Sequence, residues 1–103
     1  MQKNNWMTSI APNRTHIEGR ILSIEDSTHL EDFRVLKIQA HQIGDVGAFT
    51  NLIKEPNDSV LWVHASKDVV DKHKLKEGLD LSVDIRKSPK DLFVIPDSLE
   101  VKS

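Results

Sequence analysis

Strict alternation of apolar and polar residues near the end of the chain constrains its fold most. The apolar set is Leu79, Leu81, Val83 and Ile85, and the polar set between them is Asp80, Ser82, Asp84 and Arg86. A repeat of two residues is that of a β-strand with one buried side. We therefore predict a strand that turns Leu81, Val83 and Ile85 into a core and Asp80, Ser82 and Asp84 to solvent.

Three earlier segments also have the character of strands. Between Phe33 and Ile43, Leu36, Ile38 and Ala40 alternate with Lys37, Gln39 and His41. The segment Val60–Ala65 is apolar, rich in β-branched residues and too short for a helix. In the segment Ile17–Ile24 the apolar positions change sides near Gly19 or Ile21, which predicts a bulge or tight bend. Gly44 and Gly47 would then bend the chain into an extended segment from Phe49 to Lys54.

One helix is predicted, over residues 66–77. Ser66 can cap its first turn, Asp68 lies early, lysines lie late and Gly78 follows its predicted end. Its apolar residues Val69, Val70 and Leu75 would close one end of a barrel. A turn at residues 88–91 then leads into a strand at residues 92–95, and Pro96 limits further pairing, so Leu99 and Val101 are expected to form a short edge.

Composition limits the class of protein. The chain has 103 residues, a formal charge of −2 and no cysteine, which excludes a disulfide scaffold and a cysteine-ligated zinc site. We predict one domain over residues 14–103, preceded by a flexible N-terminal arm over residues 1–13. No run of about 20 apolar residues indicates a membrane span, and no signal peptide is visible, so a cytoplasmic location without a membrane partner is expected.

The order of these elements is three strands, a helix and a two-stranded hairpin. In that order, with Gly19 in the first strand, residues 15–101 resemble an OB-fold, and small SH3-like barrels and TOBE domains are also similar. The resemblance implies a mostly β fold: a small five-stranded OB-like barrel with one short helix between strands 3 and 4. It also implies a binding module, commonly for single-stranded nucleic acid, which uses the outer face of strands two and three and the loops between strands one and two and between four and five.

Candidate nucleic-acid-binding residues follow from that face and those loops. Phosphates require cations and bases require exposed aromatic planes. The candidates are Lys37, Gln39, Trp62, His64, Arg86, Lys87 and Lys90. Three alternatives stay open for Trp62: it is an exposed stacking platform, it belongs to the core because strand three is inverted, or it lies under the segment that begins at Phe49. We interpret His41 and His64 as polar surface groups. The acidic residues Glu25, Asp26, Glu31 and Asp32 oppose tight binding of phosphates.

Signatures of catalysis are absent from the sequence, which contains no zincin, P-loop or nucleophile-elbow motif. We therefore predict no enzyme activity and no cofactor. The five histidines form no i, i+4 pair, and a barrel would have to gather them from separate elements, so no metal site is expected. Two functions remain: a weak binder of single-stranded DNA or RNA, and a protein-interaction or homodimerisation module that does not bind nucleic acid.

Overall fold

A computed structural model describes residues 12–102, and the predicted arm at residues 1–13 lies almost entirely outside them. The elements are β1 (Thr15–Asp26), β2 (Phe33–Asp45), β3 (Ser59–Ser66), α1 (Lys67–Lys72), β4 (Asp80–Lys87), β5 (Leu92–Val94), a 3-10 turn (Pro96–Ser98) and β6 (Glu100–Val101). Within the described part of the chain, no helix is long and apolar enough to span a membrane.

The strands form a closed barrel. Its hydrogen-bonded order is β1-β2-β3-β5-β4, and pairing of β1 with β4 completes the circle, while β6 lies beside β4. All pairs are antiparallel except β3 with β5, which is parallel. The prediction of a mostly β, five-stranded barrel with one short helix between strands three and four is confirmed, and this arrangement is compatible with an OB-like fold.

Strand β1 can pair with two neighbours because it bends. Its first half pairs with β4 and its whole length pairs with β2, with register shifts between Glu18 and Gly19 and between Ile21 and Ser23. At Gly19 the two strands approach so closely that an added Cβ would lie 2.1 Å from the carbonyl oxygen of Gln39. Only glycine fits such an approach, so the predicted irregularity near Gly19 is confirmed and its cause is steric.

The core is the set of side chains that point into the barrel. It includes the inward residues of three strands, all between 0% and 3% exposed, namely Leu36, Ile38, Ala40, Leu61, Val63, Ala65, Leu81, Val83 and Ile85. Ile17 and Ile21 of β1 complete it from the fourth side and are fully buried. The alternation of β2 and β4 therefore predicted correctly which of their apolar residues enter the core, and the alternative left open for β3 is decided in favour of Leu61, Val63 and Ala65 pointing inward.

The prediction that Ser82 and Asp84 face solvent is wrong, since they are 5% and 8% exposed. Ser82 lies between β1 and β6, which pair with β4 on its two sides. The carboxylate of Asp84 lies 2.6 Å from Arg14 Nε and 2.7 Å from His16 Nδ1. Burial alone would raise the pKa of Asp84, but the hydrogen bonds from His16 and Arg14 outweigh it and the pKa lies below its ordinary value.

Helix α1 is shorter than predicted, ending at Lys72 instead of continuing to residue 77. Ser66 caps it as predicted, because its hydroxyl accepts a hydrogen bond from Val69 N. At the other end Lys74 adopts a left-handed conformation (φ 53°), and the amide of Leu75 donates to the carbonyl of Val70. This is a Schellman ending, in which burial of Leu75 beside Val70 compensates for the strained Lys74.

The predicted extended segment from Phe49 to Lys54 is not a strand. It belongs to the loop between β2 and β3, where the single bridge joins Thr50 to Asn13. The side chain of Asn51 holds the loop by accepting from Thr15 Oγ1 and from the amide of Ile53. Ile53 is 8% exposed and supplies the loop's contact with the core.

Candidate functional site

The outer face of β2 and β3 carries an exposed tryptophan. Trp62 pairs with Lys37 across the two strands and is 57% exposed, which excludes the core alternative. The Lys37 ammonium lies 5.8 Å from the centroid of the indole ring, within the range of a cation–π contact. One wide aromatic plane and one cation therefore stand side by side on this face.

A second group of rings lies on the same face, nearer the end of the barrel that carries α1. We call Phe33, His64 and Phe93 the outer aromatic cluster. Register places them in adjacent strands, with His64 of β3 paired to Phe93 of β5. The centroid of Phe93 lies 5.6 Å from that of Phe33 and 5.4 Å from that of His64. Arg86 Cζ stands 4.8 Å above Phe93, so a cation caps this cluster as well.

Two cavities flank His64. A groove of about 400 Å³ runs along the outer aromatic cluster, and we call it the aromatic groove; its lining includes Phe33, Phe93, Arg86, Val69, Ile95 and Pro96. A smaller cavity of about 210 Å³, the Trp62 pocket, is bounded by Trp62, Lys37, Val35, Glu25, Asp26 and Thr28. Both cavities are open to solvent, and the aromatic groove is the more apolar of the two.

His64 points to the predicted side of the sheet but is not a surface group. It is 5% exposed because Phe33, Phe93 and His29 surround its ring. His29 comes from the loop between β1 and β2, which also contains the acidic residues Glu31 and Asp32. The interpretation of His64 as a surface residue is therefore wrong in exposure, although the alternation assigned its side of the strand correctly.

The other predicted site residues separate into two groups. Arg86 joins the outer aromatic cluster, whereas Gln39 is engaged by a hydrogen bond from its amide to the carbonyl of Asp58. Lys87, the next residue after Arg86 in β4, lies beside Leu52 and Pro89, away from both cavities. Lys90 is exposed in the loop between β4 and β5. The structure thus groups Lys37 with Trp62 and Arg86 with His64, and leaves Lys87 outside this surface.

Sequence reasoning missed Phe33, Phe93, His29 and Asp91 as members of this surface. Asp91 lies in the loop between β4 and β5, where its carboxylate Oδ2 is 2.9 Å from His29 Nε2. This contact joins the loop between β1 and β2 to the loop between β4 and β5. The hydrogen bond with His29, which outweighs the effect of burial, lowers the pKa of Asp91 below its ordinary value, so the group is an anion at neutral pH.

Comparison of the sequence with known protein families gives no match, and comparison with curated proteins gives none either.

Proposed function

We propose that this barrel binds single-stranded nucleic acid on the outer face of β2 and β3. The observation that carries the proposal is Trp62, a large aromatic ring that is 57% exposed beside Lys37. A base stacked on an exposed aromatic plane contributes about 1–3 kcal/mol to binding, and a neighbouring cation attracts the phosphate that follows it. This arrangement suits single-stranded nucleic acid, whose bases are free to unstack.

The aromatic groove extends this surface across β5 and β4. Its apolar lining and the guanidinium of Arg86 would accept a second base and its phosphate, as an aromatic and cationic track requires. The carboxylates at the end of β1 oppose the binding of phosphates, since Glu25 and Asp26 border the Trp62 pocket. Few cations and two nearby carboxylates predict weak binding that is lost as salt rises.

The experiment is a titration with a fluorescent 20-mer of single-stranded DNA or RNA at low ionic strength. We expect Trp62→Ala to weaken binding by about 1–3 kcal/mol, which is roughly 5- to 150-fold. The matched control is Phe49→Ala, because Phe49 is also an exposed aromatic, 45% accessible, with Arg14 Cζ 5.8 Å from its ring, but it lies in the loop between β2 and β3. The control should bind like the wild type.

A direct readout of stacking is available because the chain has two tryptophans. In a Trp6→Phe background the emission of Trp62 is isolated, and stacking of a base should quench it in proportion to occupancy. Lys37→Ala should leave part of this quenching but reduce the slope of log affinity against log salt by about 0.7. Absence of binding at high protein concentration, or equal affinities for Trp62→Ala and Phe49→Ala, would refute the proposal and leave the protein-interaction module.

A further inference from the structure

Three metal-ligating side chains converge where two loops meet above the barrel. His29 comes from the loop between β1 and β2, His64 from β3 and Asp91 from the loop between β4 and β5. One potential ligand atom from each residue lies within 4.8 Å of the other two. His29 Nε2 is 2.9 Å from one carboxylate oxygen of Asp91, and His64 Nδ1 is 3.9 Å from the other.

The ring of His64 supplies a second and independent observation. It is 95% buried, being 5% exposed, and its Nδ1 atom has no hydrogen-bond partner although no solvent reaches it. A buried polar atom without a partner is costly, so native proteins satisfy nearly all of them. Here the free atom points toward Asp91, at a distance too long for a hydrogen bond.

The other nitrogen of His64 has a partner that can hold the ring in the state that binds a ligand. His64 Nε2 lies 3.2 Å from Ser27 Oγ, in the same loop as His29. When the ring carries its proton on Nε2 and donates it to Ser27, Nδ1 presents an unprotonated lone pair toward Asp91. Metal-bound histidines are oriented in this way, by a hydrogen bond from the nitrogen that does not bind the ion.

We propose that His29, His64 and Asp91 form a binding site for a divalent transition-metal ion, with Zn²⁺ as the ion that suits this ligand set. Two imidazole nitrogens and one carboxylate oxygen are ligands that Zn²⁺ accepts, with bonds of about 2.0–2.2 Å and a tetrahedral arrangement. Such bonds place neighbouring ligand atoms about 3.3 Å apart. One ligand atom from each of the three residues lies within 4.8 Å of the other two, so the atoms have to approach one another by no more than about 1.5 Å to reach this separation, a shift within the reach of side-chain rotation.

A metal ion here would connect the two loops that bound the outer face. Three protein ligands leave a fourth position for water, as in zinc sites that remain open to a further ligand. Since His64 separates the aromatic groove from the Trp62 pocket, an ion would fix the wall between them. The inference does not depend on nucleic-acid binding, because it rests on the three side chains alone.

The experiment is a calorimetric titration of chelator-treated full-length protein with ZnCl₂ in the absence of nucleic acid. We expect one ion per chain and, at 100-fold excess over Kd, a rise in Tm of about 10 °C or more. His29→Ala and Asp91→Asn should each weaken binding at least about 10-fold and remove most of the rise in Tm. His29 is exposed, so its replacement leaves the core intact.

The matched control is the pair His41 and Asp58, which is also a surface histidine beside a carboxylate, 3.6 Å apart. The double variant His41→Ala, Asp58→Asn should bind Zn²⁺ like the wild type. In Co²⁺-loaded protein, visible absorption typical of tetrahedral coordination should appear in the wild type and be lost in His29→Ala. No binding of one ion per chain, or binding that survives both His29→Ala and Asp91→Asn, would overturn the proposal.

Discussion

Replacement of Gly19 by alanine tests whether the close approach of β1 to β2 requires glycine at this position. The new Cβ would stand 2.1 Å from Gln39 O and 2.9 Å from Ala40 Cα. Ordinary contact distances exceed 3.4 Å, so one strand would have to move by more than about 1 Å. The obstacles are backbone atoms inside a hydrogen-bonded ladder, and no rotamer change can relieve the clash.

The loss of stability follows from the backbone movement that the added methyl group requires. Forcing a methyl group into a close-packed site costs about 1–3 kcal/mol and more where the backbone must move. We expect Gly19→Ala to reduce the free energy of unfolding by about 3 kcal/mol or more, which lowers the Tm of a domain of this size by at least about 12 °C. Urea unfolding followed by circular dichroism, together with a thermal melt, measures both quantities.

Gly44→Ala is the matched control, since Gly44 also lies within a strand but has no atom within 4 Å of an added Cβ. Alanine there restricts the unfolded chain and should change stability by less than about 1 kcal/mol, in the stabilising direction. Equal Tm values for the two variants would refute the argument, because both substitutions add the same methyl group and only the opposing backbone differs.

Three further predictions concern the core, an ion pair and the end of the helix. Val83→Asp should lose about 3–5 kcal/mol in urea unfolding because it buries an unpaired charge, whereas Val101→Asp at an exposed edge should change stability by less than about 0.5 kcal/mol. Because the pKa of Asp84 is lowered, its carboxylate stabilises the fold at neutral pH, and this contribution is lost as the pH falls through the lowered pKa. The urea midpoints of wild type and Asp84→Asn should therefore converge between about pH 5 and about pH 2. Lys74→Gly relieves a left-handed backbone and should raise the free energy of unfolding by about 0.5–1 kcal/mol, while Lys72→Gly at the last helical residue should lower it by up to about 1 kcal/mol. The reverse order in thermal melts would contradict the assigned helix end.

The alternation of apolar and polar residues was sufficient to predict burial where the strand's own inward face decides it. The two-residue repeat identifies the inward side of β2 and β4, because successive side chains of a strand point to opposite faces and only one face is turned to the inside of the barrel. The apolar run of β3 has no such repeat, and its inward side could not be read from the sequence. The apolar positions of β1 change from one face of the strand to the other near Gly19, and this change identified the bend. The order of the elements along the chain, with the helix between strands three and four, carried the resemblance to an OB-fold, and the five-stranded barrel that this resemblance implied is confirmed.

Pattern was insufficient where a distant segment covers the outer side of a strand. Asp84 is polar and alternates outward as expected, yet His16 of β1, Arg14 just before β1 and Ser98 of the 3-10 turn enclose it. The end of α1 shows a related limit. Gly78 is a good helix stop by preference, but burial of Leu75 ends the helix earlier, and such packing is visible only in three dimensions.

The convergence of His29, His64 and Asp91 shows why no spacing rule could find this cluster. His29 and Asp91 are 62 residues apart in the chain, and they meet because parallel pairing of β3 with β5 brings the loop before β5 beside the loop that covers β3. A metal motif on a helix depends on a fixed interval, whereas this cluster depends on barrel closure and strand register. In a small closed barrel, residues that could bind a ligand are therefore better sought in loops that become neighbours when the barrel closes. The titrations with Zn²⁺ and with single-stranded nucleic acid examine the surface that these neighbouring loops form.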